Sequence, residues 1–78
     1  MTSGTETSKQ SRDIEKTYSV EQFVEKIRRL ADCLEQGDRF DIQVAGERIY
    51  VPKGAVLSVE HERGNGEEEV EFQIKWTY

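Results

Sequence analysis

At 78 residues and a formal charge of −5, the chain has room for one hydrophobic core, and a second domain is not expected within it. The acidic balance argues against a nucleic-acid or anionic-membrane partner, because both recruit proteins chiefly through Lys and Arg. Hydrophobic and charged residues each make up 35%, which suits a thin core joined to a polar tail. Cys33 is the only cysteine, so an internal disulfide framework is ruled out and a reducing, cytoplasmic setting is expected. The opening Met1-Thr2-Ser3-Gly4 lacks the apolar core of a signal peptide, and no stretch is long enough to span a bilayer, so a soluble protein is expected.

Residues 1–12 are almost all Ser, Thr, Gly, Gln or charged and read as a disordered tail, with a single domain over 13–78. Ile14 and Tyr18 are spaced as one face of a short extra strand would place them. Ser19 and Gln22 then have capping-box spacing, and Tyr18 with Phe23 that of a hydrophobic staple, which together start a helix. Val20, Phe23, Val24, Ile27, Leu30, Ala31 and Leu34 form its apolar stripe, and Glu25 with Arg29 an i,i+4 pair on the other side. Gly37 suits the left-handed residue that ends it, so the helix is predicted from Val20 to about Gln36.

From Phe40 the period changes to alternation: Phe40, Ile42 and Val44 point one way, Asp41 and Gln43 the other. Pairing Val44 with Ile49 and Ile42 with Val51 leaves Gly46-Glu47 as a type II′ loop. Pro52, Lys53 and Gly54 break the second strand, and Leu57 and Val59 resume alternation in a third. Val70, Phe72, Ile74 and Trp76 alternate along the fourth. Asn65-Gly66 predicts a type I′ turn that sets Val59 opposite Phe72, Leu57 opposite Ile74 and Ala55 opposite Trp76. The expected fold class is α+β: a two-layer sandwich in which one amphipathic helix packs on a four-stranded antiparallel meander, with Trp76 as a core anchor beneath the helix.

From about Arg12 to Tyr78 the chain resembles the amphi-Trp domain, a small prokaryotic family of unassigned function. Three segments carry the resemblance: the helix run Leu30-Ala31-Asp32-Cys33-Leu34-Glu35-Gln36-Gly37, the Val59-Glu60 strand after a proline-containing break, and the closing Val70-Glu71-Phe72-Gln73-Ile74-Lys75-Trp76. Domains of that kind end at or near their tryptophan, whereas Thr77 and Tyr78 follow it here. The resemblance implies fold rather than chemistry, and brings no catalytic residue with it.

The most unusual surface feature is acidic. Glu60, Glu62, Glu69 and Glu71 share the face of the last hairpin opposite the core, and Glu sets against Glu whether the turn centres on Asn65-Gly66 or on Gly64-Asn65. Directly opposed like charges destabilise a sheet, so the face is either simply solvated or compensated by a cation, a basic partner or salt. Arg48 would supply part of that compensation if the second strand lay beside Glu60, and Tyr50 is placed on the polar face, where an aromatic anchors partners. His61 belongs to the rim of the core, and with Cys33 it makes no recognisable zinc site or catalytic triad. No glycine cradles phosphate ahead of a helix. No catalytic residue, cofactor or metal ligand is therefore assigned. The expectation is a non-enzymatic module for protein interaction or homo-oligomerisation through an open sheet edge or the polar sheet face, with a cation- or salt-responsive acidic surface and an accessory subunit of an enzyme as alternatives.

Overall fold

The computed structural model describes residues 10–78. It contains helix α1 (Val20–Gln36) followed by strands β1 (Phe40–Val44), β2 (Glu47–Val51), β3 (Val56–Gly64) and β4 (Glu67–Lys75), an α+β arrangement. The strands form two separate two-stranded antiparallel sheets, β1 with β2 and β3 with β4. A ladder between β2 and β3, needed for a four-stranded meander, is absent among the described residues. No strand forms over residues 13–18, in contrast to the short extra strand that the spacing of Ile14 and Tyr18 predicts.

The helix begins and ends where its capping chemistry requires. The Ser19 hydroxyl accepts from the Gln22 amide at 3.2 Å while the Ser19 amide donates to the Gln22 side chain at 3.3 Å, so both halves of the capping box are present. At the other end Gly37 adopts φ 73°, and the Asp38 amide donates to the Cys33 carbonyl at 2.9 Å. Tyr18, expected to staple against Phe23, is half-buried with the Lys26 ammonium 4.8 Å from its ring centroid.

The helix is turned differently from the expected two-layer packing. Its half-buried residues are Lys26, Leu30 and Cys33, a face spaced by four and three, whereas Val20, Phe23, Val24, Ile27 and Leu34 of the apolar stripe are exposed. The element it packs on is β1. Arg29 makes no ion pair with Glu25; its guanidinium donates to the Asp41 carbonyl at 2.7 Å and lies 5.3 Å from the Phe40 ring centroid. A cation over an aromatic face, with a carbonyl to hydrogen-bond, holds the side chain better than a solvated carboxylate one turn away.

The core is very small. Among the described residues only Phe40 and Val51 are buried, at 4% and 5% exposure, and they are direct cross-strand partners. The β1–β2 register pairs Ile42 with Ile49 and Val44 with Glu47, which corrects the expected pairing by two residues. The turn is Ala45-Gly46, with φ 48° and 89°; positive φ at both loop positions marks type I′ rather than type II′. A slip of two leaves every side chain on the same face, so the apolar pattern permits both registers and turn geometry decides.

Ala45 is a strained choice for that position, because its Cβ crowds the backbone at positive φ. Ala45→Asn is expected to stabilise the protein by ~0.5–1 kcal/mol and to raise Tm by roughly 2–8 °C in a thermal melt.

Asn65-Gly66, at φ 54° and 78°, closes β3–β4 in the expected register, setting Leu57 opposite Ile74 and Val59 opposite Phe72. The ladder ends at Val56–Lys75, so Ala55 and Trp76 are not ladder partners. Trp76 is half-buried. Instead of sitting sealed beneath the helix, it lines an open groove of about 700 Å³ with Ile14, Val44, Ile49 and Ile74. Arg12, at the end of the expected tail, also lines this groove, donating to the Val44 carbonyl at 2.9 Å and pairing with Glu47. Beyond this base the second hairpin projects: from Val59 to Phe72 every residue except half-buried Glu60 is exposed.

Candidate functional site

The surface residues singled out in the sequence fall into two groups on different hairpins. Arg48 and Tyr50 lie on β2, where Arg48 donates to the Asp41 carboxylate at 2.7 Å and Arg39 lies 5.1 Å from the Tyr50 ring centroid. These contacts hold the polar face of the first hairpin to itself. Arg48 therefore does not neutralise Glu60, since the meander that would bring them together is not formed.

The acidic face of β3–β4 does form as expected, with Glu60 opposite Glu71 and Glu62 opposite Glu69. Part of its compensation comes from neutral neighbours. The Gln73 amide donates to Glu60 at 2.7 Å, and the Ser58 hydroxyl donates to Gln73 at 3.0 Å. Glu15 adds further negative charge, and with the turn end of the hairpin it bounds a polar hollow of about 1010 Å³. Glu69 titrates above the usual carboxylate range, first because it shares a hydrogen bond with Glu62 and then through repulsion from Glu71. Glu71 is also raised, by desolvation first and then by the Glu60 charge.

The other face of the same hairpin is apolar and its charges are balanced. Leu57, Val59, Val70 and Phe72 are all exposed there, Val59 at 62% and Phe72 at 75%. Towards the turn, Arg63 donates to Glu68 at 2.8 Å and the His61 Nε2 lies 2.7 Å from the same carboxylate. Glu68 accordingly titrates below its ordinary value, held down by Arg63 and then by His61. His61 sits opposite Val70, as the alternation places it, but on an exposed face of the hairpin away from the buried Phe40–Val51 pair rather than at the rim of a core.

The two faces respond to pH in opposite directions. A carboxylate raised in the folded state contributes stability below its unfolded pKa and loses it as pH rises through the folded pKa, which describes Glu69 and Glu71. Glu68 is lowered, so its contribution is present above the unfolded value and lost as pH falls through the folded one. The double substitution Glu69→Gln, Glu71→Gln is expected to raise Tm by a few degrees at neutral pH and low salt. That gain should shrink in high salt and vanish once the pH falls below the carboxylate range, as followed by circular-dichroism melts.

Glu15, Ser58 and Gln73 belong to the acidic face although sequence reasoning did not select them. The alternation of β3 and β4 could have supplied Ser58 and Gln73, which share that face, but Glu15 lies outside any strand. Cys33 is a free, half-buried thiol on the helix face that meets β1. Among the described residues no group of three or more His, Cys, Asp and Glu side chains is placed to hold a metal ion, and no helix is long and apolar enough to cross a membrane. Comparison with protein-family models, with curated proteins and with solved structures finds no match to this chain.

Proposed function

We propose that the chain is a non-enzymatic interaction module, acting in a reducing cytoplasmic setting and built like an amphi-Trp domain, whose role is to associate with protein. The observation that carries this reading is the open apolar face of the β3–β4 hairpin, where Val59 and Phe72 are more than half exposed on the same side of the ladder. Contiguous apolar surface of this kind on a small chain marks an interaction surface, because leaving it in water forgoes its burial energy and invites aggregation. An isolated two-stranded hairpin is also at best marginally stable in water, so nine-residue strands call for a covering layer. On this reading the two-layer packing of helix on sheet is completed when a partner docks.

Covalent labelling of the isolated chain with a diffusing carbene, at low protein concentration, tests the reading. Phe72 and Val59 should be labelled as heavily as residues of an unfolded peptide. Protection of both would mean that the chain covers the face itself, as a closed four-stranded meander under the helix would, and would overturn the proposal.

The opposed glutamates support a second reading, a salt- or cation-responsive acidic surface. Melts at matched ionic strength in sodium, magnesium and calcium salts separate specific binding from screening, and identical melting temperatures would reject a specific cation.

A further inference from the structure

The geometry points to a second copy of this chain as the occupant of the apolar hairpin face, docked reciprocally, with the first half of α1 from each protomer lying across β3–β4 of the other. This inference rests on the interaction-module reading and names its partner.

Each chain carries the two halves of a helix-on-sheet contact without joining them. Helix α1 packs on β1 through its Lys26, Leu30 and Cys33 side, which leaves Val20, Phe23, Val24 and Ile27 facing away from that contact and exposed. Strands β3 and β4 pack chiefly on each other. A stripe of helix and a face of strands are the complementary surfaces from which two-layer domains are assembled. In a twofold dimer, helix-to-hairpin and hairpin-to-helix contacts form together.

Area separates this arrangement from simpler ones. From their fractional exposures, the four helix residues leave on the order of 400 Å² open and Leu57, Val59, Val70 and Phe72 about another 450 Å². Together they approach the ~800 Å² per partner typical of a stable specific interface, whereas hairpin stacked on hairpin would bury about half of that. Charge selects the same face. Glu60, Glu62, Glu69 and Glu71 on the far side would be desolvated without cationic partners against the apolar stripe of the other protomer's helix, while Glu68 on the apolar side is already tied to Arg63 and His61. The Val59–Phe72 segment projects from the molecule and can reach across without disturbing the Phe40–Val51 pair.

Gel filtration with light scattering over a wide concentration range should give a mass moving from 9.0 kDa to twice that value as concentration rises. Phe72→Glu on the hairpin and Phe23→Glu on the helix should each weaken dimerisation on the order of a hundredfold or more while leaving the helical circular dichroism of the monomer intact. A measurement without substitution protects against loss of folding: in a dimer mixed from labelled and unlabelled chains, isotope-filtered NOEs should connect the Phe23 and Phe72 rings between protomers. A dimer that tolerates both substitutions and lacks those NOEs overturns the proposed interface. A strict monomer whose Phe72 is freely labelled overturns the second copy while leaving the interaction module standing; a strict monomer whose Phe72 is protected overturns both.

Discussion

Phe40→Ala is expected to leave the chain unfolded at room temperature and low protein concentration, with loss of the helical far-ultraviolet signal. Phe40 and Val51 are the only buried side chains among the described residues, and they face each other across β1–β2 while Arg29 covers the Phe40 ring. Removing a buried aromatic costs about 3–5 kcal/mol, comparable with the ~3–5 kcal/mol that a single core of this size supplies in total. The loss would be transmitted to α1, because β1 is the strand on which the helix packs and the Arg29 hydrogen bond runs to its backbone. Trp76→Ala should be milder, roughly 1–3 kcal/mol, since the indole is only half-buried along an open groove. Urea titrations of the two variants give the ordering directly. If Trp76→Ala unfolds the chain and Phe40→Ala does not, the core lies at the tryptophan end instead.

Ser19→Ala is expected to cost ~1 kcal/mol, with a range of about 0.5–2 kcal/mol. The hydroxyl satisfies the Gln22 amide and holds Gln22 where its side chain accepts from the Ser19 amide, so one substitution removes one bond and loosens the other. A helix with most of its apolar stripe exposed draws little support from packing and depends more than usual on its caps. A drop in helical signal before the main thermal transition would show fraying from the N-terminus. Ser19→Asp should retain the cap and most of the stability.

Much of this molecule was readable from the residues alone, and the failures have specific causes. The helix bounds followed from Ser19, Gln22 and Gly37, because caps are local chemistry. The β3–β4 register followed from Asn65-Gly66, which prefers the positive φ of a type I′ turn at both positions. The first hairpin differs from its expected register by two residues because Gly46 suits the first position of a type II′ loop and Ala45 gives no signal that it adopts positive φ. Alternation could not expose the error, since a slip of two preserves every facing. The meander was an extrapolation of another kind: alternation reports which face a residue occupies but not which strand lies beside it, and Pro52 to Gly54 separates the two hairpins.

The candidate surfaces divide in the same way. Opposition of Glu60 with Glu71 and of Glu62 with Glu69 needed only parity and turn position, and both were legible. The partners of Arg29 and Arg48 depended on tertiary placement and were not. The outward turn of the apolar helix stripe was equally hidden, because periodicity defines a stripe without saying whether the chain itself covers it.

Amide hydrogen exchange measured as a function of protein concentration tests most directly whether the second hairpin is left open by its own chain. The account predicts that at the lowest concentrations the β3–β4 amides outward of Val59 exchange far faster than those of α1 and β1–β2, and that their protection rises with concentration as a partner covers them. Protection in β3–β4 equal to that of the helix and independent of concentration would contradict it, and would mean that the hairpin is packed within a single chain.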